Sequence, residues 1–274
     1  MNIKAYKMDG LGNDFVIIDQ RSKKLDLTKE QVKKICDRNY IGCDQLILIN
    51  KIDSNNNSLF FYNSDGSVSG ACGNGTRCVA KFLSEESKEQ IINLKTSYGM
   101  LVSKILDNDI VETNIGKATM EWGKIPLSRK INTKNLGINI KSINNLEFIG
   151  GIAVNVGNPH VVFFVENLEN YKIEKIGPEI ETHELFPEKC NVTIASIINE
   201  KNIKVKVWER GAGLTKACGT AACATVFAGF ITGLTSKQTN IKFELGNLSI
   251  KIENDYSILM SGEVSKIKEI QIKL

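Results

Sequence analysis

The reading of this chain turns on two stretches, Ala71-Cys72-Gly73-Asn74-Gly75-Thr76-Arg77-Cys78 and a shorter echo, Ala217-Cys218-Gly219-Thr220-Ala221-Ala222-Cys223. Each copy sets an Ala-Cys-Gly ahead of a small-residue run that reads into a helix, and a second cysteine follows a little further on. A cysteine at a helix start meets backbone N–H groups that have no intrahelical acceptor, and the positive end of the helix dipole. Together these favour thiolate. One such cysteine in each half suggests two thiols facing one another across a cleft. A reaction needing one base and one acid of the same kind would use that arrangement.

Outward from those stretches, each half is mostly strand with one prominent helix. In the first half, residues 4–8 and 15–19 read as strands around the turn Asp9-Gly10-Leu11-Gly12-Asn13-Asp14. Residues 27–38 read as a helix with Thr28 as N-cap, and Val32, Ile35 and Cys36 fall at helical spacing. Strands at 46–49 and 59–62 flank the exposed turn Asp53-Ser54-Asn55-Asn56-Asn57-Ser58. The first cysteine helix reaches about residue 83, and strands follow at 91–96, 100–105 and 110–114. In the second half, strands at 150–156 and 161–165 surround Gly157-Asn158-Pro159-His160, a short helix is predicted at 171–176, and strands follow at 191–198 and 203–208. The second cysteine helix runs to about residue 231, and strands at 241–245, 248–253, 257–261 and 269–273 complete the pattern. This pattern predicts an α+β protein with an internal duplication, rather than a βαβ winding, and a domain boundary near residue 117.

The bulk composition suits a soluble globular protein: 42% hydrophobic, 24% charged, and a net charge of +4 over 274 residues. Lysines are scattered, without a dense basic run beside aromatics, which argues against a nucleic-acid partner. No apolar run is long enough to span a bilayer, and the opening Met1-Asn2-Ile3-Lys4-Ala5-Tyr6 lacks the apolar region of a signal peptide. With seven cysteines, an odd count, reduced thiols in a cytoplasmic setting are expected rather than a disulfide framework. Cys36, Cys43, Cys78, Cys190 and Cys223 read as small core hydrophobes.

The residues alone admit several chemistries. Cys72-Gly73-Asn74-Gly75-Thr76 could cradle a phosphate, but it lacks the lysine and spacing of a P-loop. The same N–H groups suit a substrate carboxylate, into which charge flows when a proton leaves Cα. The Cys72–Cys78, Cys218–Cys223 and Cys36–Cys43 spacings are wider than zinc knuckles, and only His160 and His183 could add imidazoles, so no metal is expected. A cysteine–histidine hydrolase using His160 would employ one Ala-Cys-Gly and leave the other without a role. In Trp208-Glu209-Arg210-Gly211-Ala212-Gly213, Arg210 could grip a carboxylate and Glu209 an ammonium. Asn13, Asn63, Asn158 and Asn191 sit at loop or strand ends, where together they could hold a zwitterion without altering the charge balance of the thiols.

At this point the motifs resemble a known family. Asp9-Gly10-Leu11-Gly12-Asn13-Asp14-Phe15, Gly42-Cys43-Asp44-Gln45, Asn63-Ser64-Asp65-Gly66-Ser67 and the first cysteine stretch are similar to diaminopimelate epimerase, in order and over nearly the full length. Gly157-Asn158-Pro159-His160, Phe186-Pro187, Asn191-Val192, Glu209-Arg210-Gly211-Ala212-Gly213 and Ala217-Cys218-Gly219-Thr220 continue the match. The resemblance implies cofactor-independent interconversion of LL- and meso-diaminopimelate, on the route to lysine and peptidoglycan. Cys72 and Cys218 would be the two bases, and backbone donors at Gly73-Asn74 and Gly219-Thr220 would hold the reacting carboxylate. Asn13 and Gln45 would frame the pocket, while Asn63, Asn158, Asn191 and Arg210 would bind the distal end. Glu209 and His160 would tune the cysteine pKa values and contact the substrate or its surroundings. The implied fold is two similar lobes related by a pseudo-two-fold, each a mostly antiparallel sheet wrapped around a central helix. Their expected extents are 1–117 and 118–262, with 263–274 returning as a strand to the first lobe. A homodimer is expected by the same analogy, with no cofactor such as PLP, no metal, no nucleic acid and no membrane. Leu214 and Ala221 depart from the family pattern, which often has a polar residue and commonly a glycine at those places. The alternatives kept open are a proline- or hydroxyproline-type epimerase and a non-catalytic amino-acid-binding protein on the same scaffold.

Overall fold

Four consecutive apolar residues, Phe15-Val16-Ile17-Ile18, give the simplest account of how the first unit is layered. Alternate side chains of a strand point to opposite faces, so a wholly apolar run needs cover on both. Phe15 and Ile17 join the core around one helix, while Val16 and Ile18 join the core around another. Ile47 and Ile49 divide from Leu46 and Leu48 in the same way on the neighbouring strand. The computed structural model describes residues 2–53, 56–70, 72–97, 99–107 and 109–274. Met1, the Ser54-Asn55 part of the expected turn and Ala71 of the first cysteine stretch lie outside the described residues.

The chain forms two compact units, Met1–Asn114 with Ser261–Leu274, and Ile115–Met260. The first contains β1 (Asn2–Gly10), β2 (Asn13–Asp19), α1 (Lys29–Cys36), β3 (Gln45–Lys51), β4 (Asn57–Asn63), β5 (Val68–Ser69), α2 (Gly73–Ser87), β6 (Ile91–Thr96), β7 (Gly99–Ile105) and β8 (Ile110–Lys117, which runs past the boundary). The second contains β9 (Ile138–Lys141), β10 (Glu147–Gly150), β11 (Ile152–Asn155), β12 (Pro159–Phe164), α3 (Ile173–Glu181), β13 (Asn191–Asn199), β14 (Asn202–Glu209), β15 (Gly213–Thr215), α4 (Gly219–Ile231), β16 (Gln238–Phe243) and β17 (Gly246–Ile252). After β18 (Ser257–Glu263), β19 (Lys268–Lys273) pairs antiparallel with β1.

Both units follow one connectivity. In the first, β1–β2 is antiparallel, β2–β3 parallel across α1, β3–β4 and β4–β5 antiparallel, β4–β6 parallel across α2, and β6–β7 antiparallel. In the second, β11–β12 is antiparallel, β12–β13 parallel across α3, β13–β14 and β14–β15 antiparallel, β14–β16 parallel across α4, and β16–β17 antiparallel. The α+β class and the duplication are therefore present as two similar lobes. Thr28 caps α1 as expected: its hydroxyl accepts from the Gln31 N–H and its own N–H donates to the Gln31 side chain.

Three local readings differ from the structure. The helix expected at 171–176 starts instead at Ile173 and continues to Glu181 through Gly177 and Pro178. Ile173, Ile176 and Ile180 share its buried stripe, and burial of that stripe outweighs the missing proline N–H. The strand expected at 150–156 is two strands, because Gly151 takes φ +99° between them. The β9–β10 hairpin was not foreseen.

Gly75 and Ala221 are the third residues of α2 and α4, and both are helical and buried. Ala221 has no positive φ, so the freedom of the family's glycine is not used there. Gly75 has a steric reason instead: an added β-carbon would lie 2.7 Å from Ile47 Cδ1, 3.1 Å from Phe61 and 3.2 Å from Phe15. Gly75→Ala is expected to destabilise by about 1–3 kcal/mol through overpacking. Ala221→Gly is expected to lose about 0.5–1 kcal/mol through chain entropy. Urea unfolding of the two variants checks the order, and equal losses would contradict the close helix–sheet approach at Gly75.

Candidate active site

Cys72 and Cys218 occupy the same position, each the extended N-cap residue of its lobe's central helix, with φ/ψ of −141°/115° and −135°/115°. Neither side chain caps its helix. The first helical hydrogen bonds are Thr76 N–H to Cys72 O at 2.8 Å and Ala222 N–H to Cys218 O at 3.1 Å. The N–H groups of the first turn precede those bonds and have no intrahelical acceptor. Each is thus an anion-attracting helix start with a thiol at its rim.

Around Cys72, the Asn13 side chain is held from behind. Asn13 Nδ2 donates to Asp44 Oδ2 at 2.9 Å, leaving Oδ1 at 3.6 Å from Cys72 Sγ and 3.5 Å from Asn74 Nδ2. Asp44 also accepts the Asp14 N–H at 3.1 Å, and Arg38 bridges Asp14 and Asp44. Burial pushes the Asp14 carboxyl up, but the hydrogen bonds and charge of Arg38, with help from the Asp44 N–H and Lys7, bring it below its ordinary range. Gln45 Nε2 donates to Asn63 Oδ1 at 2.9 Å across the β3–β4 register, and Asn63 Nδ2 donates to Ser67 at 3.0 Å. Gln45 Oε1 and Asn74 Oδ1 are buried with no hydrogen-bond partner among the described residues.

Around Cys218, the Glu209 carboxylate bears on the thiol. Its Sγ lies 3.4 Å from Thr220 Oγ1. Burial raises the thiol well above its ordinary pKa, the Glu209 carboxylate adds to the rise, and the nearby Thr220 hydroxyl and Ala221 N–H only partly oppose it. The expectation that a helix start favours thiolate is therefore overridden here by desolvation. Glu209 ends β14, and Gly211 and Gly213 turn the chain with φ of +75° and +86°. Leu214, exposed on β15, pairs with Trp208. The Arg210 N–H is fixed by Asn191 Oδ1 at 3.0 Å, and its Nη1 donates to the Glu188 carbonyl at 2.9 Å. Asn191 Nδ2 reaches back to the Pro159 carbonyl at 2.9 Å. His160 is fully buried, with Nε2 2.9 Å from Asn158 Oδ1. Burial, then the charge of Arg210, pulls its pKa down to about 3. The ring is neutral; with Asn158 accepting, Nε2 carries the proton and Nδ1 has no hydrogen-bond partner among the described residues.

The expected residues also fall at matching strand ends. Asn13 begins β2, Gln45 begins β3 and Asn63 ends β4. In the second lobe Asn158 precedes β12, Asn191 begins β13 and Glu209 ends β14. Each set lies at one end of its sheet, ahead of a cysteine helix. Sequence reasoning did not single out the Asp14–Arg38–Asp44 cluster behind Asn13, although Asp14 and Asp44 adjoin expected site residues. It also passed over Glu181, whose carboxylate accepts from Trp208 Nε1 at 2.7 Å and the Gly211 N–H at 3.1 Å. The available signal was an acidic residue on the apolar stripe of α3. Among the described residues no group of three or more His, Cys, Asp or Glu is placed to hold a metal ion, and no helix is long and apolar enough to cross a membrane.

Residues 5–121 and 152–267 match the family profile described as diaminopimelate epimerase. The chain belongs to the diaminopimelate epimerase family. It is 61% identical to the diaminopimelate epimerase of Pelagibacter ubique over 274 residues, covering 100% of both chains. It is 39% identical to that of Acidiphilium cryptum, covering 96% of this chain and 94% of that one. Solved structures share the fold at low identity. A hydroxyproline epimerase from Agrobacterium vitis superposes with a TM-score of 0.71 at 13% identity, covering 99% of this chain and 91% of that one. A PhzF-family phenazine biosynthesis protein from Bacillus anthracis gives 0.70 at 14%, covering 100% of both.

In this member of the diaminopimelate epimerase family, His160 makes stability depend on pH with a definite sign. Its folded pKa of about 3 lies below the ordinary 6.5, so the unfolded chain binds the extra proton between those values. The histidine's contribution is complete above pH ~6.5 and is lost as pH falls toward ~3. Between pH ~7.5 and ~5 the loss is expected to be about 2 kcal/mol, and His160→Gln should remove that part of the dependence. Urea unfolding at the two pH values checks it; an unchanged pH dependence in the variant would contradict a buried neutral ring.

Proposed function

We propose that this protein is a cofactor-independent isomerase that interconverts LL- and meso-diaminopimelate with Cys72 and Cys218 as its acid–base pair. The observation that carries this reading is the repeated thiol at the open start of each lobe's central helix. Family membership supplies the substrate. It also sets the reaction in lysine biosynthesis; in this reading the meso product serves as a peptidoglycan precursor as well.

The chemistry follows from proton bookkeeping. One sulfur, as thiolate, takes the Cα proton, and the C–H electron pair flows into the adjoining carboxylate. First-turn N–H groups at Gly73-Asn74 and Gly219-Thr220 stabilise that charge, and such donors act most strongly where the charge develops. The other sulfur, as thiol, gives its proton to the opposite face of the same carbon. Thiol and thiolate have then exchanged places, and the reverse reaction needs nothing further. Burial and Glu209 hold Cys218 protonated, which suits it to start as the acid. The lobe of residues 1–117, with the closing strand 263–274, contributes Cys72, and the lobe of 118–262 contributes Cys218.

The remaining assignments follow the polarity of the two halves. Asn13 and Gln45 offer uncharged partners that frame the pocket without shifting the thiols. Gln45 Oε1 and Asn74 Oδ1, buried without partners, are acceptors a bound ammonium would satisfy. Asn63, Asn158, Asn191 and Arg210 would take the distal amino-acid end, Arg210 through the donors its Glu188 contact leaves over. Glu209 and neutral His160 would set the electrostatics around Cys218. A homodimer in the cytoplasm completes the proposal.

The test is proton NMR of LL-diaminopimelate with reduced protein in D₂O, alongside proline and hydroxyproline. Loss of the Cα proton signal with formation of the meso isomer is expected for diaminopimelate only. Cys72→Ser and Cys218→Ser should each lower the rate by about 10²–10⁴-fold, the usual share of a positioned acid or base. Near-normal turnover by either variant would sink the two-thiol mechanism, and exchange on proline alone would assign the sister activity.

A further inference from the structure

Glu181 takes no part in the chemistry above, yet three pieces of the second lobe converge on it. It is the last residue of α3, only 7% exposed, and it continues the stripe of Ile173, Ile176 and Ile180. Local physics opposes a carboxylate there. The C-terminal end of a helix carries the negative end of its dipole, α3 has no basic residue in its last turn, and burial removes solvation.

Its partners offset those costs. Oε2 accepts the Trp208 indole N–H at 2.7 Å, Oε1 accepts the Gly211 backbone N–H at 3.1 Å, and Lys189 Nζ lies 3.7 Å from Oε1. The two donors bracket Glu209 and Arg210 in the chain. Gly177, one turn back on α3, lets the indole pack directly on the helix backbone: an added β-carbon would lie 2.3 Å from Trp208 Cγ. Between the two anchors, the Arg210 N–H is held by Asn191. The turn is thus fixed at residues 208, 210 and 211, and two of those three points depend on one carboxylate.

We propose that Glu181 is a positioning residue for the reaction: by accepting from both sides of Glu209–Arg210, it keeps Glu209 at Cys218 and orients Arg210 for the substrate. Its catalytic consequence rests on the diaminopimelate reading above, but the clamp itself does not. Glutamine at this position turns an NH₂ group toward one of the two donors. The Trp208 and Gly211 N–H groups, held now by separate oxygens, must then share one neutral oxygen or one of them loses its partner. Aspartate keeps both oxygens one methylene short.

The test uses the full chain with Glu181→Gln and Glu181→Asp. Trp208 and Trp122 give two indole N–H resonances, assigned with Trp208→Phe. The Trp208 resonance is expected to move upfield in E181Q. The pH midpoint for Cys218 alkylation, followed by peptide mass spectrometry, is expected to fall as Glu209 moves away. With diaminopimelate, KM should rise at least about 5-fold with a lower kcat, and E181D should recover most of kcat/KM. A merely structural role would lower thermal stability and the active fraction while leaving KM and the alkylation midpoint unchanged, and that result overturns the proposal. If the parent protein does not act on diaminopimelate, the functional reading fails, and the indole shift with the alkylation midpoint still decides the clamp. Should E181Q not fold, Trp208→Phe, which removes one of the two donors, is read in its place, and a KM and Cys218 alkylation midpoint unchanged from the parent overturn the proposal.

Discussion

The helix start at each cysteine is the constraint on which the rest of the structure depends. A helix needs its first N–H groups satisfied, and most helices use a Ser, Thr, Asp or Asn side chain for this. Cys72 and Cys218 stand at that position without capping. The cost of an uncapped helix has to be met by packing, and both helices are enclosed by their lobes' sheets. Gly75 lets α2 approach Ile47 and Phe61 closely, and α4 is apolar on nearly all sides. Tertiary burial stabilises a helix whose N-terminus is left available to an anionic ligand.

Duplication explains where the polar residues lie, and divergence explains what they do. Asn13, Gln45 and Asn63 match Asn158, Asn191 and Glu209 in strand position. The first lobe has kept amides at all three places, and its charged Asp14–Arg38–Asp44 cluster stands one step behind Asn13. The second lobe has put a carboxylate at the third place and an arginine beside it. Cys218 consequently feels a negative neighbour as well as burial. The two thiols share a backbone setting, and in the second lobe the carboxylate at the third place adds to the effect of burial on Cys218.

Much of this was legible in the sequence because the deciding features are local. A cysteine followed by glycine and small residues marks both helix starts, and Thr28 marks a third. The apolar runs at 15–18 and 46–49 read as strands, the first as a buried one, because a strand covered on both faces has no polar positions. The family motifs carried the named site residues. What escaped was set by contacts distant in sequence. Asp44 meets Asn13 across 31 residues, and Glu181 meets Gly211 across 30. Neither partner is recorded in the local pattern. The second half of α3 escaped for a different reason: Gly177-Pro178 carries the chemistry of a helix end, while the indole of Trp208 makes that glycine a packing requirement.

The most direct test of a two-thiol account is the distribution of deuterium at the earliest times of reaction in D₂O. Opposed monoprotic bases return no solvent deuterium to the face from which protium was taken until product has formed and come back. The account predicts that the first meso-diaminopimelate formed carries deuterium at the inverted Cα while recovered LL-diaminopimelate retains protium. Deuterium entering both isomers at equal initial rates, or product formed with its original protium, would mean that one base serves both faces and would contradict it.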